Sequence, residues 1–338
     1  MPGALRFREV EPVTDASRDR RVLLSHGDGG SLTKDLIEEV FLPRLKSAEL
    51  KGMDDSAFLP PLPAGQALFT TDSFVVDPML FPGGDIGKLA ACGTMNDLWV
   101  SGGKPLFLSA GFIIEEGTGL SELAAIVESM AAVSAAFGVK VVAGDTKVVP
   151  RGKGDKVFIN TAGIGVLEEG RRMGRRCLPG DRVLVSGPVG EHGLVILATR
   201  IKVPLGDIRS DCGPVGPDVD RLFASGAQVH MMRDPTRGGL ATVLKEVAER
   251  SGCDVLVKEE LVPVRQKARE LMDILGVDPL YLPCEGRVVA FAGPGGLPDG
   301  WVEIGLVSQG AGDLILETRY GGRRRLGLFQ GTPLPRIC

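Results

Sequence analysis

Ala67-Leu68-Phe69-Thr70, and shortly after it Phe81-Pro82-Gly83-Gly84-Asp85-Ile86-Gly87-Lys88, decide how the chain is organised. The first is a short apolar run of strand character, and the second is a glycine loop that opens a helix predicted over 86–100. Strand, loop and helix in succession begin an α/β unit, and the pattern continues outward from there. Leu106 to Ile114 reads as a strand. Leu123, Ile126, Val127, Met130 and Val133 share one face of a helix predicted over 120–137. Val139 to Ala143 and Val157 to Val166 read as the strands that close a first block. At Arg171-Arg172-Met173-Gly174-Arg175-Arg176 the composition turns basic and polar, which marks a linker. A strand from Arg182 to Ser186 then starts a second α/β block. Upstream, Leu32, Leu36, Ile37, Val40 and Phe41 line one helix face after His26-Gly27-Asp28-Gly29-Gly30-Ser31, with Ser31 as the expected N-cap. The expected division is a variable lead over 1–21, a first domain over 22–170, a second over 171–326 and a mobile tail over 327–338.

Charge and composition narrow the function. Lys and Arg number 39 against 43 Asp and Glu, a net charge of −4, which excludes a nucleic-acid binder driven by bulk positive charge. With 43% hydrophobic residues over 338 positions the chain has material for about two cores. Aromatics are only 5%, so those cores are aliphatic, and 47 Gly with 23 Pro suit a loop-rich enzyme of small molecules. No apolar run approaches the ~18 residues of a membrane span. Met1-Pro2-Gly3-Ala4-Leu5-Arg6 lacks the apolar stretch of a signal peptide, so a cytoplasmic location without membrane contact is expected. The six cysteines form no C-x-x-C pair, which argues against a zinc site or a disulfide scaffold and for buried thiols.

Acidic residues recur at what read as strand ends and turns: Asp54-Asp55, Asp72, Asp97, Asp145 and Asp234. Carboxylates from several elements converge readily on a hard cation, and Mg²⁺ takes one or two of them together with phosphate oxygens. Each aspartate alone is better read as a turn residue; five such places beside Gly and Thr favour the metal. His26 adjoins the first glycine loop, where a phosphate contact and a structural role are equally open, whereas His192 and His230 read as packing or turn residues. Neither a P-loop nor a G-x-G-x-x-G fingerprint is present, and no nucleophile elbow marks a serine hydrolase. The chain ends on Pro333-Leu334-Pro335-Arg336-Ile337-Cys338. A thiol at the tip of a proline-stiffened arm is suited to take an acyl-type group and carry it into a site.

Several of these strings together resemble the hydrogenase maturation HypE family. They are Thr70 to Phe74, Phe81 to Ala90, Asn96-Asp97-Leu98, Gly111 to Gly117, Gly144-Asp145-Thr146-Lys147-Val148-Val149, Ser210-Asp211-Cys212, Arg233 to Leu240 and Pro335 to Cys338. The resemblance runs over about residues 22–338. It implies a two-domain α/β (α+β) fold of the aminoimidazole ribotide synthetase type, with N-terminal sheets of two chains paired in a homodimer. It also implies an ATP-dependent carbamoyl dehydratase acting on its own terminus: HypF loads a carbamoyl group on Cys338, and ATP activates its oxygen. Loss of phosphate leaves a thiocyanate, and the cyanide passes to iron on a HypC–HypD complex for the Fe(CN)₂CO centre of [NiFe] hydrogenase.

By the same resemblance Lys147 and Glu285 are the proton-handling pair beside Cys338. Nucleotide contacts fall to Asp54, Asp55, Asp72, Gly83, Gly84, Lys88, Asn96, Asp97, Gly144, Asp145, Thr146, Thr236, Arg237 and Gly238, and Mg²⁺ to Asp55, Asp72, Asp97, Asp145 and Asp234. Cys284 stands where the family commonly has Asn and reads as a tolerated small substitution, and Asp28 stands where a small residue is usual. Two other readings compete. One is a superfamily enzyme that activates a diffusible substrate with ATP; the other is a nucleotide-binding scaffold whose tail docks a partner.

Overall fold

The computed structural model describes residues 20–328 and 336–337; most of the expected lead, residues 329–335 of the tail and the expected carrier Cys338 lie outside them. Glycine and proline set the first helical segment, α1 (Ser31–Leu36) and α2 (Leu42–Leu45). The N-cap is Gly30, one residue before the expected Ser31. Between the two helices Ile37–Phe41 form a π turn, where the backbone widens ahead of Pro43, which has no N–H to give to a regular helix.

Alternating residues build the N-terminal sheet. In β1 (Ala67–Phe74) the even-numbered side chains are the more buried ones and Phe69 is 71% exposed. After the small hairpin β2 (Leu80–Phe81) and β3 (Gly84–Asp85) comes α3 (Ile86–Val100), then β4 (Gly103–Glu115), α4 (Leu120–Ala136), β5 (Lys140–Val149) and β6 (Val157–Leu167). The sheet order is β1-β6-β4-β5, with β4 and β5 parallel across α4. The helix predicted over 120–137 is α4, shorter by one residue. The strand predicted over 139–143 instead runs to Val149, because Gly-Asp-Thr-Lys continues on the open side of the sheet rather than turning. α3 is apolar on nearly every side and almost wholly buried, as befits a helix that the sheet covers on one side and the second domain on the other.

The C-terminal domain carries β7 (Arg182–Val185), α5 (Glu191–Arg200), α6 (Gly216–Ala224), β8 (Val229–Arg233), α7 (Gly239–Ser251), β9 (Cys253–Lys258), α8 (Gln266–Leu275), β10 (Val289–Ala292), β11 (Val302–Gln309), β12 (Leu314–Glu317) and β13 (Arg323–Leu326). Its seven strands order as β13-β12-β9-β11-β7-β10-β8. The basic segment read as a linker is partly tied down: Arg171 pairs with Glu168 and Asp220 and lies over the Phe223 ring. One core cluster spans both domains, taking in Leu89 and Met95 of α3, Val215 and Val219 near α6, and Ile337. Among the described residues no helix is long and apolar enough to cross a membrane. The five described cysteines are buried and unbridged.

Candidate active site

The site grows out of the seam between the domains. Gly83 has φ +99, and a Cβ there would stand 2.8 Å from both the backbone N and O of Ser210. Only glycine allows that approach, and Ser210 N–H donates to Pro82 O at 2.9 Å across it. Asp85 caps α3 by accepting from Gly87 and Lys88 N–H, and it also accepts from Ser129 Oγ. A carboxylate therefore occupies this helix N-terminus. The Lys88 ammonium donates to Gly83 O at 2.9 Å, and Gly84 lies over the Phe81 ring edge and Lys88 stem. Asn96, expected to meet nucleotide, faces the other domain instead. Its amide donates to Gly213 O (3.1 Å) and Glu285 O (3.4 Å), and its Oδ1 accepts from Val215 N–H (3.0 Å).

Carboxylates crowd beside that stitch. Asp72 on β1 is pushed up to about 6 by burial and then by the charge of Asp97, with Arg237 opposing. Asp97, inside α3 rather than at a turn, accepts from Thr70 Oγ at 2.6 Å. Asp234 is pushed up to about 7, again by burial first and then by Asp97. Glu285 is 3% exposed; burial, followed by Asp234, Asp211 and Asp72, holds its proton far more tightly than an ordinary carboxyl. Among the described residues its Oε1 has no hydrogen-bond partner, and neither has Oδ2 of buried Asp211, which lies 3.7 Å from Arg287 Nε. Unpartnered carboxylate oxygens in a buried place invite a proton or a cation.

Hard oxygen donors of this kind fit Mg²⁺. Among the described residues, however, no group of three or more His, Cys, Asp or Glu side chains is arranged to hold a metal ion alone. Phosphate and water oxygens have to complete the shell.

The turn Asp234-Pro235-Thr236-Arg237-Gly238-Gly239 reaches Glu285 through backbone contacts. Gly239 has φ +65 and lies so close to Leu282 O that a Cβ would stand 2.5 Å from it, and Cys284 N–H donates to Pro235 O at 3.0 Å. Cys284 itself is fully buried, and its sulfur accepts from Gly190 N–H at 3.1 Å. It fills space beneath Glu285 and stays protonated, since burial pushes the thiol well up.

Within one chain the five aspartates read as a metal set do not form one cluster. Ser73, Asn160, Gly111 and Asp145 share one cross-strand row of the sheet, while Asp72, Thr161, Ala110 and Gly144 share the next. Neighbouring rows face opposite sides, so Asp72 looks inward to α3 while Asp145 and Lys147 look outward. The Lys147 ammonium lies 2.9 Å from Asp145 Oδ1 and also donates to Thr146 O, and both charged side chains are mostly exposed. Lys147 and Glu285 are thus not paired inside a single chain. Asp54 and Asp55 sit on an exposed loop.

The end of the chain enters this seam. Ile337 is 6% exposed, and its carbonyl accepts from His192 Nε2 at 2.7 Å. Asp77 N–H and the Arg200 guanidinium donate to Arg336 O, and Arg336 pairs with Asp155 at 2.6 Å.

Comparison with known proteins follows the same geometry. The AIR synthase related protein family matches twice, its N-terminal domain over residues 53–167 and its C-terminal domain over 179–297. A carbamoyl dehydratase HypE of Rhodobacter capsulatus is 45% identical over 96% of this chain and 100% of that relative. The chain belongs to the HypE family. A crystal structure of the hydrogenase maturation protein HypE in complex with ATP superposes with a TM-score of 0.87 at 39% identity, covering 94% of this chain and 99% of that one. HypE in a HypE–HypF complex superposes with a TM-score of 0.74 at 39% identity, over 88% and 100%.

His192, which reads from sequence as a packing residue, meets the tail, and Ser210 and Asp211, to which local pattern assigns no role, support His192 and Glu285. The Ser210-Asp211-Cys212 string carried the HypE resemblance, and its recurrence there was the available signal. His26, by contrast, accepts from Leu23 N–H at 2.8 Å in a local turn, and His230 pairs with buried Asp181.

Proposed function

We propose that this chain is an ATP-dependent carbamoyl dehydratase whose substrate is its own terminal cysteine: the S-carbamoyl group on Cys338 becomes a thiocyanate. The observation that carries the reading is Ile337, buried in the seam one residue before that sulfur and held by His192. An amide-like oxygen leaves poorly, so it first attacks the γ-phosphorus and ADP departs. Two protons then leave nitrogen, the C–O bond breaks, and phosphate carries the oxygen away. The sum is S-carbamoyl-cysteine plus ATP giving S-cyano-cysteine, ADP and phosphate, with the peptide lighter by one water.

The chain's own residues divide the work. The unpartnered Glu285 Oε1 accepts an N–H of the carbamoyl nitrogen, and its raised proton affinity makes it the stronger base once ionised. Asp211 fixes Glu285 by accepting its backbone N–H at 3.2 Å. Asp72, Asp97 and Asp234 are the carboxylates from which one or two would ligate Mg²⁺ together with phosphate and water oxygens, and the ion would supply positive charge against the nucleotide phosphates and the crowded carboxylates. Lys147 and its outward sheet face, where Phe69 and Ile113 are also exposed, meet a second copy of the chain in a homodimer. HypF, as in the HypE–HypF complex, loads the carbamoyl group, and a HypC–HypD complex receives the cyanide on iron. A reducing cytoplasm keeps Cys338 a thiol between cycles.

The test is the intact mass of the C-terminal peptide after incubation with ATP, carbamoyl phosphate and HypF. ATP-dependent loss of one water from the carbamoylated peptide is expected. Retention of that mass, or ATP turnover at an unchanged rate in Cys338→Ala, overturns the reading.

A further inference from the structure

The histidine that meets the tail belongs to a continuous hydrogen-bond chain. Its Nε2 faces the Ile337 carbonyl, which only accepts, so Nε2 carries the proton and Nδ1 is the acceptor. Ser210 Oγ–H then donates to Nδ1 at 2.8 Å, and the same Oγ accepts from Cys212 N–H at 3.0 Å. The ring is fully buried and the Phe81 ring meets it edge-on, with centroids 5.3 Å apart. One oxygen, Asp211 Oδ1, accepts the backbone N–H of both His192 and Glu285, each at 3.2 Å. The group that grips the tail and the candidate base are thus hung on a single carboxylate.

We infer that His192, oriented by Ser210, is a positioning residue that latches the Ile337 carbonyl and so sets the Cys338 sulfur against Glu285. The inference deepens the dehydratase reading and rests on Cys338 being the carrier. His192 is one of several holds on the tail: Asp77 N–H and the Arg200 guanidinium donate to Arg336 O and Arg336 pairs with Asp155, while the neutral His192 ring meets the Ile337 carbonyl, next to the sulfur in sequence. Ser210 is needed as well as His192. Without its hydroxyl proton, Nδ1 competes for the ring proton and the latch loses its fixed tautomer.

The experiment is alkylation of Cys338 by iodoacetamide in the full chain, read on the C-terminal peptide by mass, with no ATP or carbamoyl donor present. The five described thiols, Cys92, Cys177, Cys212, Cys253 and Cys284, are buried and do not compete. His192→Phe is expected to raise the alkylation rate roughly tenfold and Ser210→Ala several-fold, on the scale of one hydrogen bond lost. His192→Gln, whose amide N–H reaches the same carbonyl, restores most of the protection, which a merely structural role does not explain. Wild-type alkylation rates in Ser210→Ala and in a normally melting His192→Phe overturn the inference; should His192→Phe not fold, Ser210→Ala decides alone. Protection that depends on His192 in a chain that never forms thiocyanate leaves the latch standing and removes the dehydratase reading. Normal thiocyanate formation with alkylation indifferent to His192 does the reverse.

Discussion

The two faces of the N-terminal sheet hold similar residues in opposite physical states. On the inner face Asp72 lies with Asp97, Asp234 and Glu285, where burial and mutual repulsion leave Asp72, Asp234 and Glu285 with raised proton affinity. On the outer face Asp145 and Lys147 neutralise one another in the open. An exposed ion pair contributes little and demands nothing. A buried group of like charges is incomplete until a proton or cation joins it. The contrast separates carboxyls that need a proton or cation from an ion pair that is already neutral.

The largest expected effect lies on the inner face. Glu285→Gln should slow the single-turnover loss of water by about a hundred- to ten-thousandfold, the usual worth of a general base, without lowering the melting temperature. A slowing of less than tenfold in the peptide-mass assay would mean that another group takes the proton. Next comes Asn96→Ala, which removes three hydrogen bonds from α3 to the second domain. Calorimetry should show a loss of about 2–4 kcal/mol, since buried backbone groups are left without partners. A loss under about 0.5 kcal/mol, within the range of an ordinary surface change, would show that the seam is held elsewhere.

A smaller effect is read in pH. Asp72 at about 6 and Asp234 at about 7 lie above the ~3.9 of an unfolded aspartate. The folded chain therefore binds more protons between about pH 4 and pH 7, and its stability falls as pH rises through that window. Asp234→Asn should flatten the fall in melting temperature of the metal-free chain, and added Mg²⁺ should offset it at pH 7. An unchanged slope in Asp234→Asn would place the titrating group elsewhere. The smallest effect belongs to the outer face. Lys147→Ala should change chain stability by less than about 0.5 kcal/mol, measured by urea unfolding, and a larger loss would show that the outer pair is not solvent-screened.

What the sequence disclosed follows the same division. α3 and α4 were legible because their apolar residues recur locally, and the two-domain α/β plan was legible from alternating strands and helices. Asp72, Asp97 and Asp145 read as strand-end or turn residues because Asp, Gly and Thr favour turns, yet Asp72 lies within β1, Asp145 mid-strand on an open face, and Asp97 within α3, accepting from Thr70 Oγ. Glycine 83 was noticed as part of a loop, although its reason lies in the backbone of Ser210. Asn96 was illegible in role because its partners lie 117 to 189 positions away, and the tail contact of His192 because Ile337 lies 145 positions away. No local period encodes such contacts. Only the fold brings them together.

The most direct test of self-directed dehydration follows the oxygen. The chain is loaded by HypF from carbamoyl phosphate labelled with heavy oxygen at its carbonyl, then given unlabelled ATP. The account predicts one labelled inorganic phosphate for each thiocyanate formed on Cys338. Label that appears in water, or that stays on the peptide while ATP is consumed, contradicts it.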